Sequence, residues 1–93
     1  MATGPRTRKP GFSDIALSFR DVSWVEVLDQ TGQVLLSQHN DAGAKRTVSG
    51  KPPLTIVIGN AEAVKLSYNG KPVDLAPHVR QTVARLTLPL QRP

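Results

Sequence analysis

The chain has 93 residues, no cysteine and a formal net charge of +5; a chain of this size forms one domain with a thin core, burying about 60–65% of the surface it exposes when unfolded. The lack of cysteine excludes a disulfide framework and a thiolate metal site and leaves the redox compartment open. Three of the twelve basic residues, Arg6, Arg8 and Lys9, stand in the first twelve positions without an acid, so nine basic residues against seven acidic ones, a net of +2, remain from Ser13 onward; the excess charge belongs to an arm and does not mark a nucleic-acid-binding surface.

Residues 1–12 carry Gly4, Pro5, Pro10 and Gly11 and show no apolar periodicity. They are expected to form a disordered basic linker or an expression remnant, with attraction to a membrane surface as the other use of such an arm. The domain is expected over residues 13–90, followed by a tail, 91–93. Ile56-Val57-Ile58 with its flanks is the longest apolar run and falls far short of the ~20 residues that span a bilayer. The chain is therefore expected to be soluble. Arg6-Thr7-Arg8-Lys9-Pro10 is not followed by the apolar stretch and cleavage site of a signal peptide, so a secreted or periplasmic location would require a segment outside this chain.

From Ile15 the period is two: Ile15, Leu17 and Phe19 alternate with Ala16, Ser18 and Arg20, as in a strand with one buried face. Ser23-Trp24-Val25-Glu26-Val27-Leu28 is a second strand, and Asp29-Gln30-Thr31-Gly32 supplies the turn into a third over residues 34–37. After Asn40-Asp41-Ala42-Gly43, the polar strand Lys45-Arg46-Thr47-Val48 is placed at a sheet edge, where charge deters edge-to-edge pairing. Leu54-Thr55-Ile56-Val57-Ile58, bounded by Pro53 and Gly59, is expected to be the best-buried strand. Residues 59–63 turn the chain, and Val64, Leu66 and Tyr68 begin a hairpin through Asn69-Gly70 into residues 71–75. A loop through Ala76-Pro77-His78 leads to a last strand over 82–88, with Val83, Arg85 and Thr87 on one face and Ala84, Leu86 and Leu88 on the other. The expectation is an all-β fold, a small antiparallel β-sandwich or open barrel of about seven short strands.

Catalytic and ligand-binding patterns are lacking. His39 and His78 are too far apart to form a metal-ligand pair on one element. Asp14, Asp21, Asp29 and Asp41 stand beside turns, where a carboxylate caps backbone N–H groups. No serine sits in a Gly-x-Ser-x-Gly elbow, and neither Gly50-Lys51 nor Gly70-Lys71 has the spacing of a phosphate loop. The reading is of a protein without enzymatic activity, metal or cofactor. Trp24 is the most informative residue. It shares a strand face with Glu26, while Val25 and Val27 share the other; burying the carboxylate is the costlier choice, so Val25 and Val27 are assigned to the core and Trp24 is left at least partly exposed. Tyr68 shares a face with Val64 and Leu66 and is assigned to the core with its hydroxyl at the rim.

Ser23-Trp24-Val25-Glu26-Val27 followed by Asp29 and Gly32, Val48-Ser49-Gly50-Lys51-Pro52-Pro53, Ile58-Gly59-Asn60-Ala61, Tyr68-Asn69-Gly70-Lys71-Pro72-Val73-Asp74-Leu75 and Val83-Ala84-Arg85-Leu86-Thr87-Leu88 stand in an order that resembles the RodZ C-terminal domain family across residues 17–88. The resemblance implies the periplasmic end of a bitopic inner-membrane protein, whose cytoplasmic helix-turn-helix domain contacts MreB filaments and whose transmembrane helix precedes this β-domain. It implies a role in rod cell shape, through protein partners in the cell-wall elongation complex and without nucleic-acid binding by this fragment. No catalytic or ligand residues come with it. The candidate partner-binding residues are Trp24, Glu26, Lys45, Arg46 and Arg85. The alternative is a peptidoglycan- or glycan-binding module, with Trp24 as stacking platform and the basic residues against anionic groups.

Overall fold

The computed structural model describes residues 11–89, so the expectations for residues 1–10 and for the tail lie outside the described residues. Among the described residues nine strands form: β1 (Ser13–Phe19), β2 (Ser23–Leu28), β3 (Val34–Asn40), β4 (Lys45–Gly50), β5 (Leu54–Gly59), β6 (Val64–Tyr68), β7 (Lys71–Val73), β8 (Val79–Arg80) and β9 (Val83–Leu88). They make two antiparallel sheets, ordered β4-β1-β6-β7 and β3-β2-β5-β9-β8. The expected all-β sandwich is thus the observed one. Single 3-10 turns, Ala61–Ala63 and Ala76–His78, link β5 to β6 and β7 to β8.

Period-two alternation builds the core. Ile15, Leu17 and Phe19 of β1 and Val64 and Leu66 of β6 face Val25 and Val27 of β2, Leu54, Ile56 and Ile58 of β5 and Ala84, Leu86 and Leu88 of β9 across the sandwich, all of them buried. β5 lies between β2 and β9 with its three apolar inward residues fully enclosed, as its sequence leads one to expect. The alternation is equally clear on its other face, where Thr55 is exposed and Val57 half-buried. The charged strand β4 is indeed an edge.

Turn chemistry follows the sequence in most places. Asn69 and Gly70 both take positive φ, +51° and +86°, which is the type I′ geometry that joins β6 to β7. Tyr68 packs against the core and its hydroxyl donates to Ser13 Oγ at 3.0 Å. In the β2–β3 hairpin the register shifts between Val27 and Leu28, so that Leu35 is an extra residue between Val34 and Leu36. The bulge lets both leucines pack on the core.

Three features depart from expectation. β3 runs on to Asn40, because a buried network satisfies that side chain (below). The strand expected over residues 71–75 stops at Val73: Asp74 Oδ1 accepts the Ala76 N–H at 3.1 Å, and the 3-10 turn that starts there tucks Leu75 under the rim of the core. The expected loop before β9 instead contains β8, paired Val79 to Ala84 and Arg80 to Val83. Its turn carries Gln81 at φ +60°, a conformation for which glutamine gives no sequence signal.

Gly50, at the buried end of β4, is needed for space. A Cβ there would overlap Leu35 Cδ1 and lie 3.1 Å from Leu54 Cδ2. Gly50→Ala is expected to lower stability by about 1–3 kcal/mol through overpacking. Combined with Leu35→Ala it should cost less than the sum of the two single changes, as measured by urea unfolding; strict additivity would show that Leu35 is not the obstacle.

Candidate functional site

The outer face of the five-stranded sheet collects the side chains that β2, β5, β8 and β9 turn away from the core. Trp24 on β2 is opposite His39 on β3, Glu26 is opposite Ser37 on one side and Val57 on the other, and Val57 is opposite Arg85 on β9. Gly59 is opposite Val83, which in turn pairs with Arg80. Trp24 and Glu26 are half-buried and Arg85 is exposed, while Val25 and Val27 are fully enclosed on the inner face. The assignment of the two faces of β2 therefore holds.

Gly59 of β5 lies beside the tryptophan. A Cβ at position 59 would stand 3.7 Å from Trp24 Cβ. The indole thus starts beside a strand position without a side chain. Ser23, the residue before it, is buried and donates its hydroxyl to the Gly59 carbonyl, fixing β2 against the end of β5.

The two remaining candidates are elsewhere. Lys45 is opposite Ser18 on the outer face of the other sheet, on the far side of the sandwich from Trp24. Arg46 is opposite Leu17, on the inward side of edge strand β4, and its Nε donates to Asn40 Oδ1 at 2.9 Å. Asn40 is 1% exposed. It also accepts from Gln38 Nε2 at 2.9 Å and donates to the carbonyls of Gln38 and Ser23 at 3.3 and 3.4 Å. Arg46 thus bridges the sheets from β4 to β3. The structure brings Trp24, Glu26 and Arg85 together on one face and separates Lys45 and Arg46 from them, because β4 belongs to the opposite sheet.

Among the described residues the carboxylates of Asp21, Asp29 and Asp74 accept from backbone N–H groups. Asp29 Oδ1 accepts from Thr31 Oγ1 at 2.6 Å and from the N–H groups of Thr31 and Gln33 at 2.8 and 3.0 Å. The Thr31 hydroxyl above all, then these N–H groups, hold its carboxyl below the ordinary value, with partial desolvation opposing them. Asp21 caps the Val22 N–H at 2.7 Å. Asp14 instead takes the Ser49 hydroxyl across β1 and β4, and Asp41 contributes its main-chain carbonyl to the turn N–H of Ala44.

A concavity lined by His78, Arg80, Gln81, Val83 and Arg85 continues the Trp24 face toward the β8 edge. His78, Arg80 and Gln81 were not among the sequence candidates. Only the hairpin formed by β8 and β9 brings them beside Arg85, and neither the two-residue strand nor its Gln81-Thr82 turn is marked in the sequence.

The model of the RodZ C-terminal domain family matches residues 16–87, from β1 to nearly the end of β9. No solved structure matches the chain.

Asn40→Ala is expected to destabilise the domain by about 2–3 kcal/mol, since it removes a buried amide and orphans the groups around it. Arg46→Ala should add little on the Asn40→Ala background, and a double-mutant cycle by chemical unfolding reads this directly; full additivity would place Arg46 outside the network. For Asp29 the folded-state pKa is lowered, so its contribution to stability is complete above the ordinary carboxylate value of 3.8 and disappears as the pH falls through the lowered one. The difference in Tm between the wild type and Asp29→Ala should therefore be larger at about pH 7 than at about pH 2. An equal difference at both would leave the charged carboxylate without a role.

Proposed function

We propose, since the chain belongs to the RodZ C-terminal domain family, that it is the periplasmic interaction domain of a bitopic inner-membrane protein that maintains rod cell shape. The family is one of structural and interaction domains rather than enzymes. In this reading the MreB contact and the membrane tether lie in other parts of the parent protein, and the β-domain docks onto membrane-bound proteins of the cell-wall elongation machinery. Among the described residues no helix is long and apolar enough to cross a membrane.

The observation that carries the reading is the outer face of the β3-β2-β5-β9-β8 sheet. At one end of it, on β2, stands a half-buried tryptophan beside Gly59, while Val57 on the middle strand lies between Glu26 on β2 and Arg85 on β9, and Val83 lies across Gly59. A rigid aromatic anchor with a polar surround is the arrangement from which protein interfaces derive most of their affinity. Strand backbone on both sides keeps the anchor in place, so little ordering entropy is lost on docking.

A second reading, binding of peptidoglycan or another glycan, uses the same indole as a stacking platform, with Arg85 toward anionic groups. The partial exposure of Trp24 permits it.

Trp24→Ala should leave a folded, cooperatively melting domain whose loss of stability stays below the ~3 kcal/mol that marks removal of a buried tryptophan. A photocrosslinker placed at Glu26 in the parent protein in living cells should join it to a named elongation protein, and Trp24→Ala should reduce that product about tenfold, the equivalent of ~1.4 kcal/mol. An unfolded variant, or a crosslink unaffected by the loss of the indole, would remove Trp24 from the docking surface.

A further inference from the structure

The arginines of the described residues divide into two classes. Arg20 Nη2 donates to the Glu62 carbonyl at 2.8 Å, and Arg46 is committed to Asn40. Arg80 and Arg85 have no hydrogen bond or ion pair within the described residues, and they converge on one concavity with Gln81 and His78 around Val83. The cross-strand pair Val83–Arg80 and the alternation along β9 put both guanidinium groups on the outer face of the sheet. No acidic residue occurs anywhere from Val79 to Leu88. The nearest carboxylate on that face is Glu26, separated from Arg85 by Val57.

Two like charges gathered on a short hairpin, with no ion-pair partner among the described residues, repel one another, and an anion that binds there turns that repulsion into attraction. The two planar guanidinium forks are donors only, the Gln81 amide and the His78 ring can each donate or accept, and no carboxylate lines the concavity. A neutral sugar ring presents hydroxyls that need acceptors as well as donors, whereas a carboxylate only accepts and matches the guanidinium fork in a bidentate pair.

We infer that the β8–β9 hairpin is a carboxylate-receiving site for an acidic segment of the protein partner, with Arg80 and Arg85 as the paired donors. This rests on the docking reading above and adds the chemistry of the partner: one or more Asp or Glu side chains, placed beside an apolar residue that meets Val83 and Trp24. Arg85 thereby joins the two halves of the face, since it stands between the concavity and the row that contains Glu26.

The test uses the isolated domain, labelled for two-dimensional NMR, and a capped tetraglutamate peptide at low salt, with a tetraglutamine peptide as its uncharged counterpart. Saturable shifts of the backbone signals of Val79 to Val83 and of the Arg80 and Arg85 Nε signals, with an affinity of about a millimolar, are expected for the acidic peptide alone. Arg80→Gln with Arg85→Gln should weaken binding about fivefold or more, whereas Lys45→Gln with Lys65→Gln, an equal loss of charge on the opposite sheet, should change it less than about twofold.

Equal weakening by both double variants would reduce the effect to net charge and overturn the site. The same shifts with tetraglutamine, or equally tight binding of inorganic phosphate at the same signals, would overturn its carboxylate chemistry. A soluble muropeptide that saturates these signals where tetraglutamate does not would give the site to the wall in place of a protein. If the peptide fails while the Glu26 crosslink to an elongation protein persists and still depends on Trp24, this inference alone is lost; loss of the crosslink would count against the docking reading itself.

Discussion

The register of β2 between β3 and β5 is the constraint on which the rest of this domain depends. Val25 and Val27 are fully enclosed opposite Ile58 and Ile56. A slip by one residue would exchange every face, turning Glu26 and Trp24 inward and two valines out. The inward carboxylate would have no partner among the aliphatic residues that fill the space between the sheets. The valines thus stabilise the fold and select the outward face in the same step. What the domain offers a partner is the complement of what it buries.

A core made of aliphatic side chains and Phe19 fixes the spacing of the sheets but not their alignment, since apolar contacts have no direction. Polar groups at the rim supply it. At one side Asn40, at the end of β3, ties Ser23 and Gln38 to Arg46 of the opposite sheet. Within the four-stranded sheet, the Tyr68 hydroxyl reaches Ser13 at one end of β1, and Asn69 and Asp14 exchange hydrogen bonds, the Asp14 N–H to Asn69 Oδ1 and the Asn69 N–H to the Asp14 carbonyl, each at 2.8 Å, which fixes the β6–β7 hairpin against β1. Among the described residues no buried side-chain nitrogen or oxygen lacks a hydrogen-bond partner. Such satisfied networks specify one arrangement where packing alone would tolerate several.

Strand positions and core faces were legible because both rest on alternation, a local property that β1, β2, β5 and β9 each display over several residues. The Asn69-Gly70 hairpin was legible because its dihedral angles restrict the residues that suit it. Gln81 in a positive-φ turn follows no such preference, so β8 and the convergence of Arg80 with Arg85 were hidden. The separation of Lys45 and Arg46 from Trp24 was hidden for another reason. Which sheet an edge strand joins depends on long-range pairing, and Lys45-Arg46-Thr47-Val48 would look the same beside β1 or beside β2. Residues on one strand can be assigned to a face from sequence; residues on different strands can be assigned to one site only when strand order is known.

Strand order also makes the outer faces of the two sheets different in chemistry. The outer face of β4-β1-β6-β7 presents Ser18, Ala16, Ser67, Thr47 and Lys45, short or strongly hydrated side chains that offer little area to bury. The five-stranded sheet presents Trp24, Val57, Val83 and two arginines without side-chain partners among the described residues. In a domain with so thin a core, an arginine that contributes no hydrogen bond to the fold adds to charge repulsion and stabilises nothing nearby. Arg20 and Arg46 have a use within the fold. Among the described residues the side chains of Arg80 and Arg85 have no hydrogen-bond partner, and they stand on the same face as the tryptophan.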